Sequence, residues 1–145
     1  FDLVDIILRA NKSKNKKIHP ATKTFQAIRI YINDELRQLY NALLSSEKFL
    51  SEGGKLIVIS FHSLEDRIVK NFIRDNSVSK KKYNQKNTDK SFVYESRKVL
   101  KASNFEVKEN RRSRSAKLRW AYRSSLSLDL SKNDHNYQEY GGVEC

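Results

Sequence analysis

The chain has 145 residues, 38% apolar and 10% aromatic, enough to bury one core, so wholesale disorder is excluded. It carries 29 Lys and Arg against 17 Asp and Glu, a net charge of +12, and no stretch approaches the roughly 20 apolar residues of a membrane-spanning helix. The lone cysteine, Cys145, excludes an intrachain disulfide framework and fits a reducing compartment.

Residues 1–10 place Leu3, Ile6 and Ile7 at helical spacing and carry no basic leader. With no Met anywhere, the chain reads as a piece of a longer polypeptide. Residues 11–17 form a basic connector, after which His19-Pro20-Ala21-Thr22 opens a helix, with proline near its first position. Phe25, Ile28, Ile32, Leu36, Leu39 and Leu43 predict one buried stripe on a helix of about six turns. A break is expected near Ser45-Ser46, followed by a short helix to Glu52 and a stop at Gly53-Gly54.

Residues 55–60, apolar on both faces, predict a fully buried strand of a parallel sheet. Ser63, with Asp66 three residues on, is placed to cap the next helix, whose inner face is Leu64, Ile68, Phe72 and Ile73. Helix, Gly-Gly, buried strand, polar loop and capped helix make one αβα segment of a doubly wound sheet. Residues 75–91 read as a Lys-rich loop and 92–100 as a strand. Ser103 and Glu106 form a capping-box pattern. Across 116–122, Ala116, Leu118, Trp120 and Tyr122 alternate with Lys117, Arg119 and Ala121, predicting a half-buried strand with a basic outer face. Residues 124–145 read as a flexible acidic tail.

The charge is uneven. Residues 80–123 hold 15 basic and 4 acidic side chains, nearly the whole excess. Such clustering points to a polyanion, nucleic acid before an anionic membrane surface, with a solvated face as the ordinary alternative.

Three segments concentrate chemistry. Ser60 to Arg67 holds two hydroxyls, His62, Glu65, Asp66 and Arg67 just past the carboxyl end of the strand, where open α/β sheets place ligands. Capping accounts for Ser63 and Asp66 but not for His62. His19 to Thr24 sets hydroxyls and Lys23 at a helix start, a phosphate-binding or a merely capping arrangement. Arg111, Arg112, Arg114, Lys117 and Arg119, with Ser113 and Ser115, supply forked donors for phosphate oxygens, or else guard a strand edge. His19, His62 and His135 lack ligand spacing, so no metal is expected, and neither a P-loop nor a hydrolase elbow occurs.

The run His19-Pro20-Ala21-Thr22-Lys23-Thr24-Phe25-Gln26-Ala27-Ile28-Arg29-Ile30, then Asn33-Asp34-Glu35-Leu36, resembles a signature of the ribosomal RNA small-subunit methyltransferase H family, also called MraW. Gly53-Gly54 with Ile59-Ser60-Phe61-His62-Ser63-Leu64-Glu65-Asp66-Arg67-Ile68-Val69-Lys70 is similar to its next signature, and Ser113-Arg114-Ser115-Ala116-Lys117-Leu118-Arg119 to its C-terminal one. The match runs from about residue 1 to residue 123. Arg111 departs from it, standing where the family usually has proline, a change expected to loosen that turn and add charge.

The resemblance implies the C-terminal part of a class I, Rossmann-like α/β methyltransferase, preceded by the end of a helical insertion. Residues 1–17 would end the insertion, 18–123 would belong to the catalytic domain, and 124–145 would be the tail. It implies a cytoplasmic enzyme that uses S-adenosylmethionine to methylate N4 of a cytidine in small-subunit (16S) ribosomal RNA, acting on the RNA or the subunit, without membrane or metal. The cofactor loop would lie upstream, so this chain alone is expected to be inactive. His62, Ser63, Glu65 and Asp66 would line the substrate side of the catalytic pocket. Lys23, Thr24, Arg29 and Arg67 would face the same cleft, and Arg111, Arg112, Arg114, Lys117 and Arg119 would grip the RNA backbone. Composition alone also allows a non-catalytic basic module that binds RNA or ribosomes.

Overall fold

The computed structural model describes residues 2–10, 19–84 and 90–125. By internal contact the chain divides into two compact units, Phe1–Glu35 and Leu36–Cys145. The expected boundary near Lys17 and nearly all of the expected tail lie outside the described residues.

The first unit holds α1 (Asp2–Ala10) and α2 (Ala21–Asn33). In α1, Asp2 and Asp5 occupy the first turn and Arg9 the last, matching the helix dipole. At the start of α2 the Ala21 N–H donates to His19 Nδ1 at 3.3 Å and the Thr22 N–H to His19 O at 3.0 Å. The helix ends at Asp34, whose φ of 50° lies in the left-handed region that Asp tolerates better than most residues. That residue corrects the single six-turn helix. Phe25, Ile28 and Ile32 are exposed instead of sharing one buried stripe with Leu36 and Leu43.

α3 (Glu35–Phe49) runs through Ser45-Ser46 without the expected break. There the Ser46 hydroxyl donates to Leu43 O at 2.6 Å, a local bond that a helix accommodates. Leu36, Tyr40, Leu43 and Glu47 form its buried face. The following turn needs its glycines: Gly53 has φ 76°, and a Cβ on Gly54 would stand 2.8 Å from Ser51 O.

The chain continues through β1 (Lys55–Ser60), α4 (Ser63–Asn76), β2 (Ser77–Ser79), α5 (Lys80–Tyr83), β3 (Phe92–Tyr94), β4 (Leu100–Lys101), α6 (Asn104–Glu109), a 3-10 turn (Arg111–Ser115) and β5 (Lys117–Arg123). The strands form a mixed sheet in the order β1-β5-β3-β2, with β4 also paired to β5. β5 runs antiparallel to β1 and β3, and β2 is parallel to β3. α4 packs on this sheet through Ile68, Val69, Phe72 and Ile73, and the Phe72 and Phe92 rings meet edge to face at 5.8 Å.

Several expectations are corrected here. β1 is not a fully buried strand of a parallel sheet. Its pairing partner is antiparallel, and among the described residues it is an edge strand. Ile57 and Ile59, opposite Trp120 and Leu118, are 55% and 53% exposed, because the described residues of this unit cover only one face of β1. Residues 75–91 are not simply a loop, since α4 extends to Asn76 and β2 and α5 follow. The expected strand 92–100 is two short strands, β3 and β4. β5 alternates as predicted, but its faces are reversed. Arg119 and Ala121 turn toward α4, with Ala121 fully buried. Ser124 is buried too, its hydroxyl donating to Lys90 O at 2.7 Å, so order extends past the expected start of the tail.

Candidate functional site

β1 ends at Ser60, and the two residues after it set the site. His62, not Ser63, is the N-cap of α4. The Glu65 N–H donates to His62 Nδ1 at 3.3 Å, while Glu65 Oε2 accepts from the N–H groups of Phe61 at 2.8 Å and His62 at 3.2 Å. This is a capping box with imidazole in the place of a hydroxyl. Because Nδ1 accepts, the neutral ring carries its proton on Nε2. That nitrogen is buried and makes no hydrogen bond among the described residues, with Glu65 Oε1 3.4 Å away. His62 and Glu65 are thus spent on fixing the turn. The Ser63 hydroxyl, exposed in the first turn, makes no hydrogen bond among the described residues.

Asp66 is buried on the inner side of α4. It accepts from Lys117 Nζ at 3.0 Å and from Arg119 Nε at 2.8 Å. Burial by itself raises the carboxyl, but the hydrogen bonds and charges of Arg119 and Lys117 outweigh it and hold Asp66 below the usual carboxylate value. Two cations on one carboxylate tie α4 to β5 across 51 residues of sequence. Arg119, its side chain 14% exposed, also donates to Arg97 O at 3.3 Å, so it is anchored and not displayed.

The remaining arginines are displayed. Asn110 Oδ1 accepts from the Arg112 N–H at 3.0 Å, and Asn110 O accepts from the Ser113 N–H and hydroxyl. This closes the 3-10 turn on a buried Ser113 and leaves Arg111, Arg112 and Arg114 exposed. The turn forms with Arg111 at its first position, so the departure expected to loosen it does not prevent it.

The turn after β1 and the basic turn before β5 face one groove of about 290 Å³, bounded by Phe61, His62, Ser63, Lys101, Arg114 and Lys117. Residues from two sequence motifs about fifty positions apart are thereby brought together. Arg67 is exposed on α4. Lys23, Thr24 and Arg29 lie on α2 in the first unit, where Arg29 pairs with Glu35 at 2.8 Å. Two features escaped the sequence. Lys101 joins the groove because β4 pairs with β5. Arg123 pairs with Glu47 at 3.1 Å, both side chains nearly inaccessible, and also donates to Ser91 O and Ser124 O. The signal was present as an acid on the apolar stripe of α3 and an arginine on the inner side of β5.

A model of the MraW methylase family matches residues 1–124. Among curated relatives, ribosomal RNA small subunit methyltransferase H of Bradyrhizobium diazoefficiens is 48% identical over 127 residues, covering 85% of this chain and 39% of its own. The protein of the same name from Wolbachia pipientis wMel is 49% identical over 126 residues, covering 86% and 37%. That of Maricaulis maris is 46% identical over 129 residues, covering 84% and 39%. The chain spans about two fifths of the length of these relatives.

Proposed function

From the premise that the chain belongs to the MraW methylase family, we propose that it forms the substrate-side wall of an S-adenosylmethionine-dependent enzyme that methylates N4 of a cytidine in small-subunit ribosomal RNA. One observation carries this reading: the turn after β1 and the exposed arginine turn share a single groove. Both are segments that resemble signatures of the family, and a uniformly charged surface would not need them adjacent.

The sheet supports the same reading. An edge strand that is apolar on both faces suits a Rossmann-like sheet continued by further strands and a further layer. The groove and the acids beside it do not fit the cofactor. A nucleoside calls for a free carboxylate at its ribose hydroxyls, whereas Glu65 caps α4, Asp66 is held by two cations, and the charged residues lining the groove, Lys101, Arg114 and Lys117, are all cations. We therefore assign the cofactor, and the acceptor for the proton that the amine sheds, to the part of the polypeptide this chain does not span. This chain's task is to position RNA. A cytidine must leave its stack to reach such a wall. Arg111, Arg112, Arg114 and Lys101 hold its flanking phosphates without reading sequence. Ser63 offers an exposed hydroxyl just past the strand end, and His62 and Glu65 keep that hydroxyl in place. Lys23, Thr24, Arg29 and Arg67 supply further phosphate contacts.

Titrating the 145-residue chain with S-adenosylmethionine by calorimetry tests the division of labour. No saturable heat is expected, and stoichiometric tight uptake would overturn it. In the full-length enzyme, Arg111→Ala, Arg112→Ala and Arg114→Ala together should flatten the dependence of RNA affinity on salt by about one unit of slope per cation. An unchanged slope would remove the RNA role of the turn.

A further inference from the structure

A second concavity, of about 120 Å³, opens between α4 and the segment joining β3 to β4. Ile73 and Tyr94 supply its apolar wall, and Lys70, Arg97, Lys98 and Arg119 its cations. Arg97 lies over the Tyr94 ring at 4.8 Å, a cation–π pair, and its guanidinium makes no hydrogen bond among the described residues. Lys70, Arg97 and Lys98 pair with no carboxylate among the described residues. Arg74, also at the rim, is neutralised by Asp75 at 2.6 Å, and the neighbouring Glu95 is taken by Lys80 at 2.8 Å. The pocket is thus apolar within, cationic at its mouth, and without a free acid among the described residues to repel a phosphate.

We propose that this pocket is a second RNA subsite, which takes one unstacked nucleotide of the substrate strand. Its base stacks on the Tyr94–Arg97 platform, and its phosphates lie on Lys70 and Lys98. Bases splayed from single-stranded RNA stack on aromatic rings or on guanidinium planes, and this pocket presents the two already assembled. Its position fits a continuous track. Asp66 binds Arg119, which lines this pocket, and Lys117, which lines the groove at the end of β1. One strand can therefore engage both sites on either side of that carboxylate. The inference rests on the RNA reading above and adds a contact away from the reacting base.

The test uses the full-length enzyme with a short single-stranded RNA and, as a base-free control, polyphosphate of equal charge. Tyr94→Ala should weaken RNA binding about tenfold while leaving polyphosphate binding unchanged. The double variant Arg97→Ala with Lys98→Ala, at exposed positions where folding is secure, should reduce the salt slope for RNA by about 2. Equal losses for RNA and polyphosphate on Tyr94→Ala would overturn the base subsite, as would wild-type RNA affinity in the double variant. If the Arg111, Arg112 and Arg114 variant still loses RNA affinity in either case, only the subsite has failed. If the wild-type enzyme binds no RNA, the underlying reading has failed.

Discussion

His62 shows how far a residue can stand from the role its chemistry suggests. Its Nδ1 is the acceptor that starts α4 and its Nε2 is buried, so neither nitrogen is free to take a proton from a substrate. We expect His62→Asn, which keeps a capping acceptor, to retain stability and methyl transfer in the full-length enzyme. His62→Ala should cost about 0.5–2 kcal/mol in urea unfolding and lower the transfer rate with it. A His62→Asn variant as inactive as His62→Ala would restore a chemical role to the ring. Asp66 yields a prediction in pH. Its carboxyl titrates lower in the folded chain than its ordinary value of 3.8, so in that window the unfolded chain binds more protons. The stabilisation is complete above that ordinary value and disappears as pH falls through the lowered one. Asp66→Asn should therefore flatten the acid limb of a stability–pH curve and leave its alkaline side unaffected in shape. The sequence disclosed that this octapeptide matters. It did not disclose the division of tasks, because Asp66 is defined by Lys117 and Arg119, which only the fold brings near.

Among the elements, β5 organises the rest, pairing with β1, β3 and β4. Its alternation was legible, since a strand turns successive side chains to opposite faces. Which face lies inward was not, since cations are normally read as solvent-facing. They are tolerated inside because other elements bring carboxylates: Asp66 from α4 to Arg119 and Glu47 from α3 to Arg123. Removing one member of a buried pair strands the other, so Glu47→Ala should cost about 3–5 kcal/mol in denaturant unfolding. A loss below about 1 kcal/mol would mean that Arg123 is held by its carbonyl partners alone. The helix break at Asp34 was illegible for another reason. No Gly or Pro marks it, and the residue there tolerates the left-handed turn without advertising it.

At the scale of the molecule, the order of the motifs spoke for the family before any fold was known, because order and spacing survive where single residues are ambiguous. Layering was harder to read. Apolar residues on both sides of β1 were taken as calling for two covered faces, but the described residues of this unit supply one. That leaves a row of amide and carbonyl groups beside Ile57 and Ile59 with no strand against it among the described residues. Such a border is a template: a chain produced by itself will tend to recruit its own copies along it, and the oligomers should grow with concentration. Ile57→Lys, which sets a charge in the middle of that border, should delay the onset of light scattering without altering helix content. If turbidity rises at the same concentration in both proteins, self-association begins elsewhere.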